Sequence, residues 1–205
     1  MKLIGPWFSG YTRRVGITLK LLGMPFEHLS YHAYQQQELI RPFSPMVKVP
    51  ALVLDDGTIM YDSSSIIDFL HEVVGPERAL LAKSGAERRD ALQFVGIGSA
   101  IYGKLGDIYD ESLRPSEHQI QSVTESLGKQ ALAGFKMIEA QVGKSWLVGD
   151  TLSQADIMVV IAYQTASLGL MSDSVNASAF PKIAGLADRA MTLEAFSATN
   201  PFSQA

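Results

Sequence analysis

Over roughly its first 75 residues the chain changes the spacing of its apolar side chains every few positions, whereas from Ala86 onward one spacing holds almost throughout. No single uniform layer can satisfy both halves. Lys2 to Gly5 is a short apolar run. Tyr11 to Leu22 places Val15, Leu19 and Leu22 at helical spacing, and Phe26 to Tyr31 alternates as a strand does, with Gly23-Met24-Pro25 as the stop between them. After a less regular segment from Gln35 to Phe43, two β-rich runs, Val49 to Leu54 and Thr58 to Tyr61, flank Asp55-Asp56-Gly57, which reads as a tight hairpin turn. Ser63 to Val74 returns to helical spacing, and Gly75-Pro76 ends it. The predicted order is βαβ, then α, then ββα.

In the second half Leu92, Val95, Ser99, Tyr102 and Leu105 mark one helix, and Ile120, Val123, Leu127, Ala131, Phe135, Ile138 and Val142 mark a longer one. The expectation is a small α/β domain over 1–78, a linker over 79–85 and an all-α bundle over 86–205. A length of 205 residues accommodates this division.

Charge and cysteine usage narrow the chemistry. Seventeen Lys and Arg against 21 Asp and Glu leave a net charge of -4, and the basic residues are scattered, which argues against a general nucleic-acid binder. No apolar run approaches the ~20 residues that span a bilayer, and Ser9, Arg13 and Arg14 interrupt any signal-type core, so a cytoplasmic protein off the membrane is expected. Cysteine is absent. That removes disulfide scaffolds, thiolate metal sites and cysteine nucleophiles, so any sulfur chemistry uses a thiol supplied by the substrate. His28, His32, His71 and His118 form no close ligand pair, and no metal is expected.

Three segments could carry chemistry, and a fourth is a folding signal. Ser9, at the junction of the first strand and first helix, stands where first-turn N–H groups and the helix dipole converge on an anion; the plainer reading is an N-cap. Val49-Pro50 opens a strand, and a cis turn there would leave the Val49 N–H and C=O as a short edge for an extended peptide. Asp62-Ser63 precedes a helix whose free N–H groups could hold a carboxylate while Asp62 holds an ammonium, or the pair could simply cap. Ser153-Gln154-Ala155-Asp156 is a capping box worth about 1 kcal/mol, and its direct reading is folding.

Taken in order, Ser9 with Arg13 four residues on, Val49-Pro50, Asp62-Ser63 and the Ser153-x-x-Asp156 box resemble the cytosolic glutathione S-transferase family, in its bacterial type with a serine at the N-terminus of the first helix. Ser44 to Leu52 looks like the segment leading into that family's cis-proline, and Phe180-Pro181-Lys182-Ile183 with Arg189 and Phe196 like its C-terminal helix. The resemblance covers nearly the whole chain. It implies a thioredoxin-like N-terminal domain that binds glutathione and a helical domain that completes the electrophile pocket. Carried over by position, Ser9 hydrogen-bonds the glutathione sulfur, Val49 pairs with the cysteinyl backbone, Asp62 and Ser63 hold the γ-glutamyl end, and Lys48 faces the glycyl carboxylate. Pro50, Ser153 and Asp156 carry over as structural.

Tyr11 and Thr12 stand close enough in sequence to compete with Ser9 for the sulfur. Val47 occupies a position where many relatives carry glycine, and Leu186 one where tryptophan is frequent. Trp7, Phe8, Tyr102 and Tyr109 are the expected electrophile contacts. Gly96, Gly98, Gly103 and Gly106 weaken their helix by ~1 kcal/mol each relative to alanine, which suggests room for a ligand or a partner helix.

The implied function is a homodimeric detoxification transferase that adds glutathione to a small electrophile, with reduction of peroxides as a possible side activity. The alternative is a glutathione-transferase-like module that binds ligands or a protein without turnover. The three thiol-site segments standing together favour the enzyme. Subgroups that work through a cysteine at the helix terminus are disfavoured, and so are the glutathione-dependent isomerases, because Ser9 is not in the Ser-Ser-Cys run those relatives show.

Overall fold

The computed structural model describes residues 1–143 and 145–202. Its sheet follows from the alternation of short apolar runs. Strand β1 (Lys2–Ile4) pairs in parallel with β2 (Glu27–Leu29) and antiparallel with β3 (Ala51–Val53), which pairs antiparallel with β4 (Ile59–Tyr61), giving the order β2-β1-β3-β4. Because strand side chains alternate, Leu3 and its partner Leu52 point to one face and Ile4 and its partner Ala51 to the other. Leu3 and Leu52 pack with Val15, Leu19 and Leu22 of the segment formed by α1 (Gly10–Leu21) and its C-cap, and with Ile66, Ile67 and Leu70 of α3 (Ser63–Val74). On the opposite face Ile4 and Ala51 pack with Ile40 of α2 (Gln37–Ile40), with Leu29, Val53 and Ile59 alongside. Each such aliphatic side chain contributes roughly 1.5–3 kcal/mol on burial, so a three-residue strand is held by its two faces more than by its ladder.

Asp56 accepts from the Thr58 N–H at 2.8 Å across the β3–β4 turn, and Gly57 takes φ +85 there. The order βαβ, α, ββα over a mixed four-stranded sheet is a thioredoxin-like domain. Strand β3 begins at Ala51, inside the Val49 to Leu54 run, since Pro50 has no N–H to offer a ladder.

The helical half consists of α4 (Gly85–Ser112), α5 (Gln121–Glu139), α6 (Gln154–Thr165) and α7 (Pro181–Met191). Every residue of α6 from Gln154 to Gln164 is buried, as an apolar helix surrounded by others must be. Two glycines set its neighbours' approach. A Cβ on Gly98 would stand 3.1 Å from Met158 Cγ, and one on Gly134 would stand 2.7 Å from Ile101 Cγ1. The room that Gly98 makes in α4 is therefore taken by α6, whereas Gly96 and Gly106 face open space. Glu139 closes the N-terminus of α7, accepting from the Lys182 and Ile183 N–H groups at 2.9 and 3.0 Å.

The chain divides into two compact units, one comprising Met1–Lys83 with the segment from Leu193 onward, the other Ser84–Thr192. This differs from the 86–205 assignment at its far end. The reason is Arg13, only 1% exposed, whose guanidinium needs acceptors. It donates through Nη2 to Phe196 O at 3.3 Å and through Nε to Thr199 Oγ1 at 3.4 Å, which fastens α8 (Glu194–Ser197) to α1.

Candidate active site

Ile4 stands opposite Ala51 and Ala51 opposite Tyr61, so β1, β3 and β4 are aligned at one end of the sheet. The Gly5–Ser9 loop, the Lys48–Pro50 turn and the Asp62–Ser63 junction all leave the strands from this row. Gly5, at φ +127, lies between the first turn of α1 and the Lys48–Pro50 turn. A Cβ there would lie 2.4 Å from Thr12 Oγ1 and 2.8 Å from Val49 Cβ, so no side chain fits.

Ser9 is half-buried and caps α1, its hydroxyl accepting from the Thr12 N–H at 3.3 Å. The first turn of α1 contains no acidic residue to offset the helix dipole. Thr12 is fully buried, with its Oγ1 beside Gly5 and no hydrogen-bond partner, so its hydroxyl is sealed off from any ligand. Tyr11 is half-buried, and its phenol lies within electrostatic reach of Arg14.

The Val49-Pro50 peptide is cis. Val49 is half-buried, and neither its N–H nor its C=O has a hydrogen-bond partner among the described residues. Val47 adopts φ +55, which places a β-branched residue in a strained conformation. Lys48 donates its N–H to Ser44 Oγ at 3.2 Å and is exposed, with no ion pair to its ammonium among the described residues.

Asp62 caps α3 in an unusual way. Its Oδ1 accepts from the Ser64 N–H at 2.8 Å while its backbone sits at φ +64 and ψ 127, a conformation that costs of order 1–3 kcal/mol for a residue with a side chain. The Ser63 and Ser65 N–H groups of the first turn have no partner among the described residues. Ser63 is 3% exposed, and its Oγ accepts from Arg14 Nη1 at 3.4 Å.

Sequence reasoning missed Arg14. Burial pushes its guanidinium down to about 10, with Asp62 and then Tyr11 pulling the other way, so it stays charged at neutral pH. A signal was present: two arginines lie in a helix otherwise made of small or apolar residues from Thr12 to Leu19, too buried a stretch for solvated charge.

The expected electrophile contacts fall into different surroundings. Trp7 is half-buried, stacked on His28 at 3.7 Å between ring centroids, and its ring lies where a Cβ on Gly16 would be, so much of its surface is committed to packing. Phe8 is 45% exposed on the loop that carries Ser9. Tyr102 and Tyr109 belong to the helical unit; both are half-buried on α4, and their spacing of seven puts them on one face. His28 also holds Gly5 O at 2.7 Å; burial lowers its pKa, partly opposed by that bond.

The Ser153 box is closed in the structure. Asp156 accepts from the Ser153 N–H at 2.8 Å, the Ser153 hydroxyl at 2.9 Å and the Leu147 N–H at 2.8 Å, and burial still pushes its carboxyl pKa up.

Residues 3–78 match the model of the glutathione S-transferase N-terminal domain. Across its whole length the chain is 29% identical to maleylpyruvate isomerase of a Ralstonia species and 27% identical to maleylacetoacetate isomerase of Pseudomonas aeruginosa, covering 98% and 97% of those proteins. Its N-terminal part thus matches the glutathione S-transferase family, and its full length is similar to a glutathione S-transferase of Triticum aestivum, at 26% identity over 98% of this chain and 93% of that protein. Its fold matches that of a glutathione S-transferase of Methylobacterium radiotolerans in complex with glutathione sulfonate, with a TM-score of 0.90 at 23% identity over 100% of this chain and 96% of the other.

These similarities support glutathione-dependent transferase or isomerase activity. Both full-length relatives carry the names of isomerases, a reaction class that sequence reading set aside for want of a Ser-Ser-Cys run. No helix among the described residues is long and apolar enough to cross a membrane, and no group of three or more His, Cys, Asp or Glu among them could hold a metal ion.

Proposed function

We propose that the chain binds glutathione at the strand ends described above, holds its thiol as thiolate at Ser9, and delivers the sulfur to a small electrophile. The observation that carries this reading is the open cap of α1: a half-buried serine hydroxyl at a helix N-terminus, with its hydrogen uncommitted among the described residues and no acidic neighbour in the first turn.

A free thiol titrates near 8.5, so a few per cent is thiolate at neutral pH. A hydrogen bond to a charged sulfur is worth about 1.5–3 kcal/mol and a helix N-terminus about 0.3–1 kcal/mol. At 1.36 kcal/mol per pH unit, the two lower the thiol pKa by roughly 1.5–3, enough to make thiolate the main species. Ser9 acts here as an anion stabiliser, neither base nor nucleophile.

The unpaired Val49 N–H and C=O suit the cysteinyl backbone, as one residue of an added strand. Asp62 faces the γ-glutamyl ammonium, Ser63 the carboxylate beside it, and Lys48 the glycyl carboxylate. Phe8, exposed next to Ser9, is the side chain we assign to the electrophile.

A second reading is favoured by the two isomerase relatives. The same thiolate adds to a carbon of a cis double bond, the resulting single bond rotates, and loss of the thiolate restores the double bond in trans form with glutathione regenerated. It asks nothing different of Ser9.

Glutathione affinity, followed by a panel of aryl halides, peroxides and cis-enedioic acids, separates the possibilities. Turnover of the halides supports transfer, and loss of the cis-olefin signal supports isomerisation. Affinity without turnover of any compound leaves a binding module, and absence of affinity overturns the glutathione reading.

A further inference from the structure

Arg14 takes no part in the thiol chemistry above, yet it is a fixed positive charge only 3% exposed. Its guanidinium offers five N–H donors and no acceptor. Among the described residues it makes one hydrogen bond, from Nη1 to Ser63 Oγ, and its buried Nε has none. Burying a charge with its donors so incompletely met is costly, and the cost lowers its pKa to about 10.

The direction of the one bond matters. Because Arg14 can only donate, Ser63 Oγ must accept, and the serine's own hydrogen is left for another acceptor that no described residue provides. The Ser63 N–H is equally uncommitted, at the positive end of α3. A hydroxyl and a peptide N–H from one residue, backed by a buried cation, is chemistry that recognises a carboxylate.

We propose that Arg14 is a positioning residue: it fixes the Ser63 hydroxyl as a donor, so that Ser63 grips the α-carboxylate of the γ-glutamyl group. This rests on the glutathione reading above. Arg14 acts through Ser63, and its effect is confined to the head group, away from the sulfur.

Calorimetric titration tests this with two ligands, S-methylglutathione and its analogue lacking the γ-glutamyl α-carboxylate, against the wild type, Arg14→Lys, Arg14→Gln and Arg14→Met. Wild type is expected to prefer the carboxylate-bearing ligand about ten-fold or more. Arg14→Gln and Arg14→Met lose most of that preference and Arg14→Lys part of it, while the pKa of bound glutathione, read by thiolate absorbance, stays put. Should Arg14→Met fail to fold, Arg14→Gln and Arg14→Lys carry the comparison.

A folded Arg14→Gln protein that keeps the full preference, or that weakens both ligands equally, overturns the role of Arg14. Wild-type protein that binds neither ligand instead overturns the glutathione reading beneath it.

Discussion

At the N-terminus of α6, Ser153 accepts from the Ala155 N–H at 3.2 Å, donates to Asp156 at 2.9 Å and has its own N–H held by the same carboxylate at 2.8 Å. At the N-terminus of α1, Ser9 accepts one longer bond of 3.3 Å, and its hydroxyl hydrogen is unclaimed among the described residues. Both serines cap a twelve-residue helix. The α6 cap brings its own anion, which offsets the dipole from within and spends the serine on folding. The α1 cap lacks an acid in its first turn and leaves the positive end of the helix to be met by something that binds. The α3 terminus stands between them: Asp62 brings a carboxylate to the cap, while the Ser63 and Ser65 N–H groups have no partner among the described residues.

Substitutions at the two caps should therefore read out in different quantities. The largest effect is expected for Asp156→Ala, which strands the Leu147 and Ser153 N–H groups and should cost about 3 kcal/mol in urea denaturation. Its folded fraction should bind glutathione as wild type does, and a loss of affinity in that fraction would break the contrast between the caps. Ser9→Ala should cost under about 1 kcal/mol of stability, since its cap bond is long, but raise the pKa of bound glutathione by about 1–2 with affinity within a few-fold. An unmoved thiolate absorbance transfers the role to Tyr11, Thr12 being sealed. Asp62→Asn keeps a cap acceptor while removing the charge we assign to the ammonium, and should weaken glutathione binding about ten-fold at neutral pH. Unchanged affinity rejects the head-group assignment.

The smallest effect concerns His28. Its pKa is lowered by burial, so the unfolded chain binds protons more readily and the folded state loses stability as pH falls from the ordinary His value of about 6.5 toward the lower folded one. His28→Gln, which retains a donor for Gly5 O, should flatten the dependence of the urea midpoint on pH across that window. A slope identical to wild type assigns the dependence elsewhere.

Much of the architecture was legible because periodicity reports burial directly. The α3 span of Ser63 to Val74 is the same in sequence and structure, and the Asp56-Gly57 turn announces its hairpin. Capping boxes are legible for the same reason, as their partners lie three residues apart. Pairings over long separations were not. Nothing local to Arg13 points to Phe196 or Thr199, 183 and 186 residues away, and nothing local to Arg14 points to Ser63. Trp7, an aromatic beside the Ser9 loop, is expected at the substrate, and no local spacing shows that its ring also packs against Gly16 and His28 within its own unit. Backbone strain at Val47 and Asp62 was equally invisible, since neither residue type signals a positive φ as glycine does.

Gly5 has a wider consequence. With its missing side chain replaced by contact to Thr12 on one flank and Val49 on the other, the stretch that presents the serine and the stretch that presents the peptide edge mesh like two gears on one pin. Neither can be re-aimed alone. Any drift in sequence that moves one must drag its counterpart, so the placement of Ser9 relative to Val49 is inherited as a unit.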